Sequence, residues 1–223
     1  MKFLNKDIKL AIFDLDGTLI DSTSLWSDID KIFFQKRNMD IPINYAKEIA
    51  HVGLKEAARI TKEKYLPDEN EEDILNEWMD YAKKAYQEDI EIKENAKELL
   101  ELLSRLNVHI ALATANAEEL YLPCINRLEI ASYFEYVVDP KKVKGGKSSV
   151  EIYDRVKDYF KVKEDEVIIF EDLLEPIKVA SKKYLVVGVY DLHSTKNIED
   201  NKRHSHIFIS NFQEIIDLIN KYN

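Results

Sequence analysis

Two aspartates two residues apart, Asp14 and Asp16, stand in the stretch AIFDLDGTL (11–19), where an apolar run gives way to Gly17-Thr18. A second acidic pair, Glu171-Asp172, follows another apolar run in VIIFEDLLEP (167–176). Carboxylates brought together hold a divalent cation whose charge offsets theirs. Between the pairs, ALATAN (111–116) supplies the Thr114 hydroxyl with Ala115 and Asn116 after it, donors suited to an anionic oxygen. KVKGGKSSVEIY (142–153) supplies Lys147, a cation just ahead of a helical pattern.

Each piece also has an ordinary reading. Asp16-Gly17 is a strong turn signal. A calcium loop does not fit, because the glycine follows the second aspartate directly. Taken alone, Thr114 belongs to helix capping, with Asn116 and Glu119 as an N-cap pair. Gly146-Lys147-Ser148 resembles the end of a phosphate-binding P-loop, but Lys141 occupies the position that such a loop gives to glycine. Lys147 then reads as a solvated surface residue. Asp172 with Glu175 makes a capping-box-like pair. His204 and His206 have no partner at ligand spacing and read as surface residues at a strand start.

These residues need elements to hold them. Short β-rich runs cover Ile8 to Phe13, Val108 to Ala113, Val167 to Phe170, Tyr184 to Tyr190 and Ile207 to Ile209, with a weaker one at Phe134 to Val138. They are continuous rather than alternating, as in strands buried on both faces of a parallel sheet. Helical patterns lie between them at Asn95 to Leu106, Glu118 to Leu128, Ser149 to Phe160 and Glu175 to Lys183. The alternation predicts an α/β, doubly wound, mainly parallel sheet. The segment from Ile20 to Ile90 carries helical spacing and no convincing strand, which predicts a core of 1–19 and 91–223 with an all-helical insert at 20–90. In such a sheet the ligand crevice lies beyond the carboxyl ends of the strands, where Asp14, Thr114 and Asp172 all fall.

Composition narrows the partners. With 42 acidic and 32 basic side chains the net charge is -10, which disfavours a nucleic-acid partner. A single cysteine, Cys124, fits a reducing compartment, and the cytoplasm is the expectation. The N-terminus has no apolar leader-like segment, and no run approaches the ~18 apolar residues of a membrane span, so a soluble protein is expected. Nothing in the sequence sets the oligomeric state.

Asp14-Leu15-Asp16-Gly17-Thr18, Thr114, Lys147 and Glu171-Asp172, in this order at strand ends, resemble the four motifs of the haloacid dehalogenase superfamily. The insert after the first motif resembles the type-one helical cap of its β-phosphoglucomutase-like and phosphoglycolate-phosphatase-like branch. The resemblance implies a Rossmann-like core and a Mg²⁺-dependent phosphatase acting on a small phosphorylated metabolite. It implies that Asp14 is the nucleophile that forms an aspartyl-phosphate, and that Asp16 is the general acid and base. Mg²⁺ would be held by Asp14, the Asp16 main-chain carbonyl and Asp172, with Glu171 acting directly or through water. Thr114, Ala115, Asn116 and Lys147 would bind the phosphoryl group. Ser148 stands where relatives often have proline and Pro176 where many have glycine, departures that touch backbone shape.

The same residues bear on other functions. A dehalogenase is expected to lack the second acid, and Asp16 is present. A phosphonatase needs a cap lysine, for which Lys55, near His51, is the candidate, and its ordinary reading is a solvated lysine. A β-phosphoglucomutase carries a histidine after the first motif, where this chain has Trp26, whose ordinary reading is core packing. A non-catalytic phosphoryl-ligand sensor is the alternative from another class. Trp26, His51 and Lys55 are the residues expected to help select the substrate.

Overall fold

The computed structural model describes all residues except 50–51, 139–142, 144–145 and 193–196, so His51 and Lys144 lie outside the described residues. The chain divides into two compact units, one of Met1–Thr23 with Ile90–Asn223 and one of Ser24–Asp89.

The first unit opens with a two-residue hairpin, β1 (Lys2–Phe3) and β2 (Lys6–Asp7), whose turn residues Leu4 and Asn5 both take positive φ, 46° and 63°. This primed type of turn suits a tight antiparallel pair. The sheet strand then starts at Leu10 rather than Ile8: β3 (Leu10–Phe13) has all four residues buried. Five further strands join it, β4 (His109–Leu112), β5 (Tyr136–Val137), β6 (Val167–Glu171), β7 (Leu185–Val189) and β8 (Ile207–Ile209). The six lie in the order β5-β4-β3-β6-β7-β8, and every pairing is parallel. Continuous apolar strands demanded cover on both faces, and helices supply it.

On one face, α7 (Glu151–Phe160) and α8 (Leu174–Ala180) bring Ile152, Tyr153, Val156, Ile177 and Ala180 onto Leu10, Ile12, Ile169 and Val186. α5 (Ala96–Arg105) and α10 (Phe212–Tyr222) pack together and carry a second set of buried side chains, including Leu99, Leu103, Phe212 and Ile215. Pro176 falls in the first turn of α8, where a missing N–H costs little.

Two helices of this unit lie outside the predicted patterns: α10, whose buried Phe212, Ile215 and Ile219 do follow a helical period, and α9 (Ile198–His204). α9 has the sequence IEDNKRH, in which Asn201 is the one buried residue, so it offers no apolar period to read. It also corrects the placement of His204, which ends this helix. His206 lies just before β8, and its Nδ1 accepts from the Val186 N–H at 3.2 Å.

Register fixes the height of the strand ends. Phe13 sits opposite Leu112 on one side and Phe170 on the other, and the Phe13 and Phe170 rings stack at 4.3 Å. The residues that follow Phe13, Leu112 and Phe170, namely Asp14, Ala113-Thr114 and Glu171-Asp172, therefore emerge at one level of one sheet edge. The crossings to and from the second unit are stitched together within the first: Asp21 N–H donates to Glu91 O at 2.9 Å, Lys93 N–H donates to Leu19 O at 2.8 Å, and Ile20 pairs with Ile92.

The second unit is helical among its described residues: α1 (Leu25–Gln35), α2 (Tyr45–Ile49), α3 (Leu54–Tyr65) and α4 (Glu71–Lys84), the last continued by a wider turn at Ala85–Asp89. Ile29, Phe33, Ile74 and Trp78 recur at helical spacing and are buried, with Phe33 edge-on to Trp78 at 5.5 Å. Asn70 caps α4, its side chain accepting from Glu72 N–H at 2.8 Å. Thr61 donates to Ala57 O, so the buried Tyr45 hydroxyl donates to Thr61 Oγ1 at 2.9 Å. No helix among the described residues is long and apolar enough to cross a membrane.

Candidate active site

Asp14 is the first residue past β3, and its N–H still donates to Phe170 O at 3.0 Å, so strand pairing holds the backbone up to the carboxylate itself. Its side chain meets the Lys147 ammonium, which lies 2.5 Å from Asp14 Oδ1 and 2.9 Å from Glu171 Oε2. Lys147 sits in a short 3₁₀ turn, Gly146–Ser148, ahead of α7. Of the two ordinary readings, that of a solvated lysine is corrected here: only 11% of the Lys147 side chain is exposed, because two buried carboxylates offset its charge.

Asp14, Glu171 and Asp172 are all buried, and one oxygen of each lies within 4.8 Å of the others. Three carboxylates share one neighbouring ammonium in a place that water barely reaches. Burial, reinforced by Asp14, pushes the Glu171 carboxyl up to about 7 against the pull of Lys147. Burial, with Glu171 and Asp14, raises Asp172 as well. Burial also lowers the pKa of Lys147, but Asp14 and Glu171 outweigh it and raise the group overall. Such an excess of buried negative charge matches what a divalent cation would neutralise, and carboxylate oxygens are the donors it takes.

The loop between the two aspartates is closely fitted. Gly17 has φ +81°, and a Cβ there would stand 2.6 Å from Asp172 Oδ2, so both conformation and space require glycine. Thr18 Oγ1 donates to Asp172 Oδ1 at 3.0 Å, and Asn201 Nδ2 donates to Asp172 O at 2.7 Å. Lys93 donates to Gly17 O, to Tyr190 O at 2.9 Å and to Asp191 Oδ2 at 3.0 Å, with Asp191 buried. These partners lie 76 to 154 residues apart along the chain, apart from Asn201, which is 29 residues from Asp172. Of the signals that could have found them, Thr18 within the first motif was the one present in sequence.

Asp16 faces a different set of groups. Ser22 Oγ donates to Asp16 Oδ1 at 2.7 Å, while Asn116 Nδ2 at 3.4 Å and Thr114 Oγ1 at 3.5 Å reach toward Oδ2. Thr114 Oγ1 accepts the Asn116 N–H at 3.1 Å, and Ala115 lies exposed in the bend between them. The capping expectations are corrected. α6 (Glu118–Arg127) has Ala117 as its N-cap, and Asn116 Oδ1 accepts from Ala117 N–H at 2.9 Å. α8 has Leu173 as its N-cap, and Glu171 Oε1, rather than Asp172, accepts the Leu173 N–H at 3.2 Å. Thus Asp14, Glu171, Asp172 and Lys147 form one cluster, Asp16, Thr114 and Asn116 another, and the loop Asp14–Thr18 joins the two. His204 and His206 belong to neither.

Residues 11–188 match the sequence model of the haloacid dehalogenase-like hydrolases. A phosphorylated carbohydrates phosphatase of Thermotoga maritima is 25% identical over 173 residues, covering 78% of this chain and 80% of that one. A phosphoglycolate phosphatase of Pseudomonas fluorescens is 25% identical over 135 residues, 58% of this chain and 50% of that one. Among solved structures, a Thermotoga maritima protein provisionally described as a β-phosphoglucomutase superposes with a TM-score of 0.80 at 22% identity, over 96% of this chain and 99% of that one.

Proposed function

The chain belongs to the haloacid dehalogenase-like hydrolases, and from that premise we propose that it is a Mg²⁺-dependent phosphatase of small phosphomonoesters working through an aspartyl-phosphate on Asp14. The observation that carries this reading is the buried Asp14 carboxylate, 2.5 Å from the Lys147 ammonium and within one ligand sphere of Asp172 and Glu171.

In the first half of the reaction an Asp14 carboxylate oxygen attacks phosphorus. The new oxygen–phosphorus bond forms as the ester oxygen leaves with its electron pair, and Asp16 gives that oxygen a proton. A carboxylate suits this role because it is ionised at neutral pH without help from a base. In the second half Asp16 takes a proton from water, the water oxygen bonds to phosphorus, and the Asp14–phosphorus bond breaks to release inorganic phosphate. Asp16 must therefore be neutral for one step and charged for the next. Its contacts with Ser22, Thr114 and Asn116 orient it for both. Lys147 and the donors of the Thr114–Asn116 bend hold the phosphoryl oxygens as charge moves between them. Asp14, the Asp16 carbonyl and Asp172, with Glu171 directly or through water, would hold Mg²⁺, which would supply the charge neutralisation that lets one anion approach another.

In this reading the helical unit, Ser24–Asp89, is the insert that selects the substrate, with Trp26 and Lys55 as contributors. The compartment is the cytoplasm, in keeping with the free, buried thiol of Cys124. The relatives named as phosphatases support hydrolysis as the outcome. The test is turnover of a generic aryl phosphate by the wild-type chain with Mg²⁺, with EDTA, and by Asp14→Asn. Ligand binding without Mg²⁺-dependent turnover of any phosphomonoester would favour a sensor instead.

A further inference from the structure

The helical unit holds a cavity of its own, whose described lining shares no residue with the acidic cluster and includes Trp26, named above as a contributor to substrate selection. It has a volume of about 520 Å³, within the range of small-molecule pockets. Trp26 and Asp30 from α1, Ile49 from α2, Leu54 and Ala57 from α3 and Trp78 from α4 line it. Trp26 and Asp30 are four residues apart on one helix, so an indole and a carboxylate share a face. Trp26 is 41% exposed and Leu54 37%, which overturns the core-packing reading of Trp26 and leaves large apolar side chains at the rim. Trp78 is buried, and its indole nitrogen has no hydrogen-bond partner among the described residues.

Asp30 is the one ionisable side chain among the described lining residues. No described residue offers it an ion pair or hydrogen bond, and burial pushes its carboxyl up to about 6. On its own helix α1 the one cation, Lys31, is paired with Asp28 at 2.7 Å. A partly desolvated carboxylate without a partner is a standing cost to the fold. Asparagine has nearly the same shape and would not carry that cost.

We propose that this cavity is a binding site for an organic ammonium ion, its cationic nitrogen set against Asp30 between two indoles and its apolar body against Leu54 and Ala57. A cation relieves the unpaired carboxylate and gains cation–π attraction from tryptophan. An anion would meet Asp30 unfavourably, and a neutral apolar guest would leave it unpaired. A bare divalent metal needs several oxygen ligands where the described lining has one carboxylate. The inference does not depend on phosphatase activity, because binding is its readout.

The experiment is calorimetric titration of the full chain at about pH 8, where Asp30 is ionised. The probes are three compounds with one body: 4-phenylbutylammonium, 4-phenylbutanol and 4-phenylbutanoate. The ammonium should bind saturably and at least about tenfold more tightly than the alcohol, and the carboxylate should not bind. Asp30→Asn should erase the preference for the cation while raising Tm. Trp26→Ala, at a half-exposed position that the fold tolerates, should weaken ammonium binding about fivefold with an unchanged circular dichroism spectrum. Equal binding of ammonium and alcohol by wild type, no ammonium saturation up to roughly 10 mM, or an unaltered preference in Asp30→Asn overturns the proposal. Unaltered affinity in folded Trp26→Ala overturns it equally.

Discussion

The Lys147 ammonium lies 2.5 Å from Asp14 Oδ1 and is shared with Glu171 at 2.9 Å. One cation thus serves both the candidate nucleophile and a candidate metal ligand. Lys147→Ala should lower kcat/KM by at least about a hundredfold, the scale of losing one charge-stabilising group. Lys144→Ala should do less damage. Steady-state kinetics on both variants decide the register, and a larger loss from Lys144→Ala would move the phosphate clamp there. Asp14→Asn, nearly isosteric, should abolish turnover while leaving the thermal transition cooperative. Appreciable activity in that variant would remove Asp14 from the mechanism.

Mg²⁺ should stabilise the folded chain, since it offsets the charge shared by Asp14, Glu171 and Asp172. At a hundredfold excess over Kd the gain is about 2.7 kcal/mol for a ligand that binds only the native state. Differential scanning calorimetry with Mg²⁺ against EDTA should show the rise in wild type and lose it in Asp172→Asn. A Tm indifferent to Mg²⁺ in wild type would count against a metal at this cluster.

Gly17→Ala should harm stability and activity together. The left-handed conformation alone costs a non-glycine residue roughly 1–2 kcal/mol, and the new methyl would crowd Asp172 Oδ2 from 2.6 Å. Urea denaturation and Mg²⁺ titration of the variant measure the two effects. A variant as stable and as active as wild type would mean that this loop is slacker than its contacts imply.

Acid should weaken the helical unit through Glu77. Burial pushes its carboxyl up, but Arg37, Lys36 and Tyr81 outweigh burial and hold it at about 2, against an ordinary value of 4.5. A depressed carboxylate gives stability that is present above about pH 4.5 and lost as pH falls toward about 2. With 17% of the side chain exposed, screening reduces the contribution to on the order of 1–2 kcal/mol. Urea midpoints for wild type and Glu77→Gln should differ at neutral pH and converge in acid. A difference that stays constant down to about pH 2 would show that the loss is one of packing.

Water should be the final phosphoryl acceptor. The resemblance gives the place of a mutase histidine to Trp26 by spacing from the first motif, and indole can donate a hydrogen bond but cannot shuttle a proton. With β-glucose 1-phosphate, Mg²⁺ and a trace of the 1,6-bisphosphate, free phosphate should accumulate if that sugar is accepted at all. Rapid conversion to glucose 6-phosphate with little phosphate released would establish the mutase reading.

Much of the sheet could be read from continuous apolar runs, because a strand covered on both faces leaves no polar alternation. Asp14, Thr114 and Asp172 were legible because each ends such a run. Lys147 was legible only through the order of motifs, since a lysine before a helix is ordinary until its partners are known. Lys93, Asp191 and Asn201 were out of reach for a related reason: their meaning lies in carbonyls and carboxylates brought to them by the fold. α9 and the opening hairpin left too little apolar pattern to register.

The place of β3 has a consequence for how the protein comes into being. It is the first of the six sheet strands to be synthesised, yet it lies between β4 and β6, which begin at His109 and Val167. On a ribosome adding roughly 5–20 residues per second, Leu10–Phe13 waits roughly 10–30 s for its second neighbour. Until β4 is made a fully apolar strand has no partner, and until β6 is made one of its two edges stays unpaired, which makes nascent chains stopped within this window the form of the protein with the greatest need of a chaperone.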